Sequence, residues 1–197
     1  MKALLIYFIC SSLLFSDGSS LLDNSVPVFT GVTLGNKNVD ASYFKGKVTL
    51  INFWSLGCRP CLQEMPFLAQ LDTIFPDSAF QILSIAPHSR ERLVAYNSDL
   101  PSQYSGFRKA CGAKIIMYDV LPECEVTIRF PTDDDEHLTL SHDSDEISKL
   151  FNVDMYPTTF VVDKSGIIRY VRSGYPMESS DSLYKMQVIT EIASLLK

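Results

Sequence analysis

The chain has 197 residues, of which 46% are hydrophobic and 20% are charged, and its formal net charge is −6. This composition is typical of a globular protein with a substantial buried core, and it argues against a disordered chain. The negative charge provides no basic surface that could neutralise phosphates, so nucleic acid is not expected as a partner.

The first residues have the pattern of a secretory signal. A lysine at the second position precedes an apolar run over residues 3–15, which is shorter than the about 20 residues that cross a bilayer. Small and polar residues follow, so residues 1–18 are predicted to be a signal peptide that is cleaved near Gly18 or Ser20. Two alternatives remain: a buried N-terminal element, and lipidation at Cys10, whose flanking sequence fits that route poorly. Export would place the protein in a periplasm or cell envelope, where disulfides persist, and lipidated Cys10 or an uncleaved signal could anchor it to the membrane.

Strand and helix patterns alternate after this segment. Short β-prone pieces surround a Gly-Asn turn within residues 26–44 and indicate an N-terminal β-extension. Residues 48–54 form a nearly continuous apolar run, as in a strand buried on both faces. Apolar residues then recur at helical spacing over residues 60–75, where Pro66 is expected to cause a kink.

A second buried strand is predicted over residues 80–87, and a second helix follows it with Ser89 as its cap. Residues 101–136 are less regular and contain two β-prone runs that end in an acidic stretch. We interpret this segment as an insertion between the second helix and the next strand, in which the two runs could form a hairpin. The acidic stretch lacks the glycine and the distal glutamate of a calcium loop, so no metal site is predicted there.

The final third of the chain returns to a regular pattern. A short strand over residues 137–143 precedes a helix that Ser144 caps and whose Ile147, Leu150 and Phe151 are predicted to face inward. Two antiparallel strands joined by an Asp-Lys-Ser-Gly turn follow, and a helix closes the chain. This order predicts one α/β domain over residues 26–197, built around a mixed sheet.

Two cysteines three positions apart, Cys58 and Cys61, follow the first buried strand and begin the first helix. The carboxyl edge of such a sheet is where open α/β folds place their active sites. The free N–H groups and dipole of the helix N-terminus stabilise a thiolate, so we expect the pKa of Cys58 to lie below the ordinary value of about 8.5. Arg59 should lower it further, and Pro60 occupies an early position where its missing N–H costs little. Cys61 can then resolve a mixed disulfide on Cys58.

Zinc binding and a purely structural disulfide are the alternatives for this pair. Zinc needs further ligands, but Cys111 and Cys124 are thirteen positions apart and the three histidines are scattered. So small a disulfide ring restricts the unfolded chain little and would contribute little stability. Redox chemistry is therefore predicted, with the dithiol itself as the redox group and with no metal or other cofactor. Cys111 and Cys124 are either a second pair or free thiols.

Two more residues fit redox chemistry. Pro157 stands after a helix end and before a strand, where a cis proline opposite the cysteines would leave neighbouring backbone free to pair with a substrate chain. An ordinary trans proline that breaks the helix is the alternative. Glu64 lies three residues after Cys61 and could relay a proton to or from it. A surface glutamate that favours the helix dipole is the alternative for this position.

The stretches FKGKVTLINFWSLGCRPCLQEMPFL and YPTTFVVDKSGIIRYVRSGY resemble the TlpA/ResA group of thioredoxin-like envelope thiol–disulfide oxidoreductases. The resemblance covers residues 26–197 apart from the middle segment. It implies a thioredoxin fold with an N-terminal β-extension, a nucleophilic Cys58, a resolving Cys61 and a cis Pro157. Asn52 stands where thioredoxin carries an aspartate, as in this group, and Glu64 matches the acid that is characteristic of it.

The resemblance also points to residues that would contact the substrate, namely Trp54, Arg59, Pro60 and Tyr156 beside the matched motifs. Glycine precedes Cys58 where the group often has an aromatic residue, and the Arg-Pro dipeptide leaves the redox potential open. The middle segment is longer than is usual in the group and could carry a structural disulfide between Cys111 and Cys124.

The function implied is exchange between protein dithiols and disulfides in an exported compartment. By analogy with the group, the reducing direction is favoured, with electrons from a membrane thiol carrier and with substrates such as the cysteines of apocytochromes during cytochrome c maturation. A peroxidase of the same fold is an alternative. It needs Ser or Thr three residues before the cysteine, which Ser55 supplies, and a proline four residues earlier, where Ile51 stands. The other alternative is a non-catalytic binding module.

Overall fold

The structure, a computed structural model, describes residues 18–97, 119–122, 146–176 and 181–197. The predicted signal segment up to residue 17, the helix cap at Ser144, the strand over residues 137–143, and Cys10, Cys111 and Cys124 lie outside the described residues. In the part of the chain that is described, no helix is long and apolar enough to cross a membrane.

The N-terminal extension begins with a 3-10 helix, Gly18–Leu21. It continues into two strands of two residues each, β1 (Gly31–Val32) and β2 (Asn38–Val39), which pair antiparallel and so confirm the predicted β-extension. Residue Asn36 in the connecting turn has a φ of 59°, a left-handed conformation that asparagine tolerates. The chain over residues 23–26 hydrogen-bonds to residues 166–168, so it covers the edge of the central sheet.

A five-stranded mixed sheet forms the centre of the domain. Its middle strand is β3 (Val48–Phe53), which has β4 (Phe80–Ala86) as a parallel neighbour and β6 (Thr158–Val162) as an antiparallel one. The edges are β5 (Asp119–Pro122), parallel to β4, and β7 (Ile168–Ser173), antiparallel to β6. The order β5-β4-β3-β6-β7 confirms the mixed α/β sheet.

Within the described residues, four α-helices accompany the sheet: α1 (Arg59–Ile74), α2 (Arg90–Asn97), α3 (Glu146–Leu150) and α4 (Asp181–Leu196). Helix α1 connects the parallel strands β3 and β4, and its assignment continues through Pro66. The inward orientation predicted around α3 is confirmed, because Ile147 and Phe151 are buried and Leu150 packs against the core.

Strand β5 lies inside the segment interpreted from sequence as an insertion. Its residues pair with Leu83 to Ala86 of β4, so these four residues belong to the central sheet, whereas the rest of the predicted insertion and hairpin lies outside the described residues. The sequence pattern marked this region as β-prone but could not identify the strand with which it pairs. The partner is decided by the free edge that β4 offers once β3 occupies its other side.

The core is divided by the sheet into two layers, because the side chains of β3 alternate between its faces. Ile51 and Phe53 pack with the N-terminal extension and α3, whereas Val48 and Leu50 pack with α1 and α4. All six residues of β3 are buried, as the apolar run predicted. This alternation also directs Asn52 toward the α1 and α4 layer, beneath the start of α1.

Candidate active site

Cys58 and Cys61 form a disulfide at the point where β3 passes into α1. A turn closed by the Cys58 N–H and the Ser55 carbonyl, 3.1 Å, leads the chain from the strand to the helix. Cys58 is half-buried and Cys61 is only 1% exposed. The two sulfurs therefore differ in access, with Cys58 the one that a large partner can reach.

Cys58 is the N-cap residue of α1. Its Sγ accepts a hydrogen bond from the backbone N–H of Cys61, 3.2 Å, and its carbonyl accepts the first helical bond from Leu62, 3.2 Å. Pro60 lies within the first two helical positions, as predicted, and the first turn of α1 contains no acidic residue. The same N–H group and helix dipole would stabilise a Cys58 thiolate once the disulfide is reduced.

The Tyr156–Pro157 peptide bond is cis, which confirms the prediction for this proline. Thr158, the next residue, lies opposite Phe53 in the β3–β6 register, so Pro157 stands at the same sheet edge as the disulfide. The Pro157 carbonyl accepts a hydrogen bond from Gly174, 2.7 Å, which anchors the loop to the end of β7. Tyr156 and Cys58 both pack against one apolar cluster that includes Cys61.

Glu64 lies in α1 three residues after Cys61 and is buried rather than on the surface, with 1% of its area exposed. Its Oε2 accepts a hydrogen bond from Asn52 Nδ2, 2.9 Å. Its Oε1 accepts bonds from the hydroxyls of Thr159, 3.3 Å, and Tyr184. The alternative of a surface glutamate that serves only the helix dipole is thus wrong for this fold.

The position of these donors follows from the sheet register. Asn52 and Thr159 are directly paired across β3 and β6, and both side chains point toward α1. Asn52 Nδ2 donates its two hydrogens to Glu64 and to Thr159 Oγ1, 3.2 Å, so the three side chains form one network. Tyr184 completes the network from α4, which covers the same face.

The network leaves Glu64 able to exchange a proton near neutral pH. Burial raises the pKa of Glu64 from its ordinary value to about 7, and the hydrogen bonds from Tyr184, Asn52 and Thr159 act in the opposite direction. Burial also raises the pKa of Tyr184, so this phenol stays protonated and remains a donor. A carboxyl group with such a pKa can accept a proton from a nearby thiol and release it again.

The residues predicted to contact substrate differ in their exposure. Arg59 is exposed, and Pro60 and Tyr156 are half-buried, so all three are accessible at the rim of the motif. Trp54 is fully buried, which corrects the prediction of direct substrate contact. Its ring packs edge-to-face with Tyr96, 6.4 Å between centroids, and belongs to the apolar cluster beneath the cysteines.

His88 is a residue of the site that no sequence motif indicated. Its Nε2 accepts a hydrogen bond from the backbone N–H of Leu56, 3.0 Å, in the turn just before Cys58. Burial, and then the charge of Arg92, lower the pKa of His88 to about 4, so the ring is neutral and can accept this bond. The only available signal was its place directly after β4, at the same edge as the cysteines.

Comparison with known proteins agrees with this geometry. A model of the Redoxin family matches residues 21–186. The chain is 23% identical over 165 residues to the thiol-disulfide oxidoreductase ResA of Bacillus thuringiensis, covering 83% of this chain and 77% of that protein. It is 27% identical over 148 residues to the thioredoxin-like protein YneN of Bacillus subtilis, covering 75% and 69%. A crystal structure of a putative thiol:disulfide interchange protein DsbE from Chlorobium tepidum superposes with a TM-score of 0.59 at 17% identity, covering 89% of this chain and 98% of that one.

Proposed function

This chain belongs to the Redoxin family as a member of its TlpA/ResA type, and we propose that it reduces protein disulfides in an exported compartment through the Cys58–Cys61 dithiol. The observation that carries the proposal is the disulfide at the N-terminus of α1, with one accessible and one buried sulfur. The curated relatives support it, because ResA is named a thiol-disulfide oxidoreductase.

The proposed reaction consists of two exchanges. In the first, the Cys58 thiolate attacks one sulfur of a substrate disulfide, that S–S bond breaks, and the leaving substrate thiolate takes up a proton. In the second, the Cys61 thiolate attacks Cys58, the mixed disulfide breaks, and the second substrate sulfur leaves as a thiolate that then takes up a proton. The substrate gains two electrons and two protons, and the protein is left with the Cys58–Cys61 disulfide that the structure contains.

The second exchange requires that buried Cys61 lose its proton. Bulk water has little access to this thiol, because only 1% of the residue is exposed. Glu64 lies three residues along the same helix, is itself buried, and has a pKa of about 7. We assign Glu64 the role of accepting the Cys61 proton as the mixed disulfide is resolved.

Substrate chains would bind at the rim formed by the motif and the cis-proline loop. The exposed Arg59 supplies a positive charge next to Cys58, and half-buried Pro60 and Tyr156 supply apolar contact. The backbone that precedes Pro157 stands at the sheet edge and could pair with an extended substrate segment. A partner with negative or polar residues beside its disulfide would fit this rim best.

The direction of electron flow and the compartment complete the proposal. The N-terminal apolar segment supports export, and the family resemblance supports net reduction of substrates. A dithiol used in that direction must be reduced again, for which we propose a membrane thiol carrier as the donor and the cysteines of apocytochromes among the acceptors. Cys111 and Cys124 are proposed to form a structural disulfide apart from this reaction.

Two replacements test the exchange directly. Cys61→Ser should accumulate mixed disulfides between Cys58 and substrate proteins, visible as reducible adducts on non-reducing gels, because the resolving thiol is missing. The matched variant Cys58→Ser should accumulate none, since Cys61 is buried; in both variants Cys10, Cys111 and Cys124 are also replaced by serine, so that only the motif can react. Equal adduct levels in the two variants would contradict the assigned roles.

The reduction potential tests the direction. It is measured by equilibrating the protein, with Cys111 and Cys124 replaced by serine, against glutathione or dithiothreitol. We expect a potential near or below about −270 mV, the value of thioredoxin, as suits a reductant. A potential near about −120 mV, as in strongly oxidising disulfide donors, would overturn the reducing direction while leaving the exchange reaction intact.

A further inference from the structure

The tyrosine hydroxyl that reaches Glu64 comes from a distant part of the chain. Tyr184 lies in the first turns of α4, 120 positions after Glu64, and is only 2% exposed. We propose that Tyr184 is a positioning residue for thiol–disulfide exchange, whose hydroxyl holds the Glu64 carboxylate and so sets the pH range in which Glu64 takes the proton of Cys61. This inference rests on the proposed proton-accepting role of Glu64.

Packing keeps the Tyr184 ring in place. It lies edge-to-face against Phe67 of α1 with centroids 5.7 Å apart, and against Tyr175 with centroids 5.4 Å apart. The guanidinium of Arg172 on β7 lies 5.8 Å from the centroid of the same ring. A phenol held by contacts on several sides cannot turn its hydroxyl away from Glu64 without disturbing the core.

Hydrogen bonds are what stabilise the Glu64 carboxylate in this burial site. Its donors are Tyr184 from α4, Thr159 from β6 and Asn52 from β3. Within the described ranges no lysine or arginine forms an ion pair with Glu64. Because burial opposes the ionisation of Glu64, each hydrogen-bond donor strongly affects the pH at which the carboxylate forms.

Other titratable groups near the network must be considered before a pH effect is assigned to one hydroxyl. On β7 these are Tyr170, which senses the charge of Glu64, and Arg172, whose charge lies over the Tyr184 ring. Tyr175 follows β7 and also senses the charge of Glu64, but its hydroxyl donates to Asp181. The pKa values of both tyrosines are raised, so neither ionises in the neutral range where Glu64 titrates.

Tyr175 supplies a matched control. It contacts the Tyr184 ring, but its hydroxyl bonds to Asp181, the first residue of α4, rather than to Glu64. Tyr184→Phe removes the hydroxyl at Glu64 and keeps the ring, whereas Tyr175→Phe makes the same chemical change beside it. A role limited to filling the core predicts little difference between the two variants.

The experiment titrates the Glu64 side-chain carboxyl by ¹³C NMR in the oxidised protein and, in parallel, measures the pH profile of disulfide reduction by the dithiol form. In Tyr184→Phe we expect both midpoints to rise by about one to two pH units, the effect of one lost hydrogen bond to a charged group. Tyr175→Phe should leave both midpoints where they are in the original protein.

A second variant covers the case in which Tyr184→Phe does not fold. Site-specific 3-fluorotyrosine in place of Tyr184 keeps the ring and hydroxyl but makes the hydroxyl a stronger donor, so the Glu64 midpoint should fall. An unchanged Glu64 midpoint in either variant overturns the inference. If the Glu64 midpoint moves while the pH profile of the reaction stays fixed, Glu64 does not accept the proton and Tyr184 has no role in the reaction. Disulfide exchange by the two cysteines is not contradicted by that result.

Discussion

Replacing Glu64 with glutamine should change how the stability of the oxidised protein depends on pH. The pKa of Glu64 in the folded protein is about 7, against an ordinary value of 4.5. Between these two values the folded state holds a proton that the unfolded state has released. The free energy of unfolding therefore falls as pH rises through this window, and the stabilising effect is complete only below about pH 4.5.

The size of the effect follows from the separation of the two pKa values. At 1.36 kcal/mol per pH unit, a gap of about 2.5 units corresponds to about 3 kcal/mol lost between pH 4.5 and pH 8. Glu64 is almost completely buried, so solvent screening does not reduce this estimate. Glutamine has no charge to bury, so Glu64→Gln should lack this part of the pH dependence.

Urea unfolding under non-reducing conditions, repeated from pH 4.5 to pH 8, measures the effect. The stability of Glu64→Gln relative to the original protein should rise by about 3 kcal/mol across the range. Titration of His88 is common to both proteins and cancels in the difference. Glu91→Gln is the control: Glu91 is exposed and its pKa is lowered, so this difference should stay flat. If the free energies of unfolding of Glu64→Gln and of the original protein change in parallel with pH, the assigned burial and pKa of Glu64 are wrong.

Two further predictions concern contacts around the site. His88→Ala removes the acceptor of the Leu56 N–H and should lower the free energy of unfolding by about 1 kcal/mol at pH 8, measured by urea unfolding. Because the folded pKa of His88 lies near 4, below its ordinary 6.5, its contribution to stability is complete above pH 6.5 and is lost as pH falls through 4. Because the ring is only half-buried, we expect the free energy of unfolding of the original protein to fall by about 1–2 kcal/mol more than that of His88→Ala as the pH is lowered through this range. If acid destabilises both proteins equally, His88 does not make this contribution. Arg90 donates to the carbonyls of three consecutive residues, 32–34, and Arg90→Ala should speed amide hydrogen exchange in β1 and β2 about tenfold or more while exchange in β3 is unchanged.

The arrangement around the cysteines separates two tasks along α1, between its accessible N-terminal end and the buried turns that follow. The accessible side carries Cys58 and Arg59, where a substrate disulfide can approach. The covered side carries Cys61 and Glu64, where a proton can be exchanged out of contact with bulk water. Positions 58, 61 and 64 share one side of a helix with 3.6 residues per turn, and of these three residues only Cys58 is not buried.

Local patterns in the sequence determined most of the fold and the reactive pair. Apolar runs identified β3 and β4, helical spacing identified α1, and the two cysteines stood at the junction between a strand and a helix. The physical reason is that a helix or strand buried on one face or on both has a characteristic short-range pattern of apolar residues along the chain. The place of Pro157 between a helix end and a strand left cis and trans open, the resemblance to the TlpA/ResA group implied cis, and the structure contains the cis bond.

Only the tertiary structure decided which groups surround the reactive pair. Tyr184 on α4 and His88 after β4 reach the site across long stretches of chain, and contacts of that kind leave no periodic signal in the sequence. The burial of Trp54 depends on α2 covering it, and the place of β5 depends on the free edge of β4. The sequence predicted that Glu64 could relay a proton, but the groups that donate hydrogen bonds to it come from three separate elements. Their convergence on one carboxyl group, and hence its pKa, exists only in the folded protein.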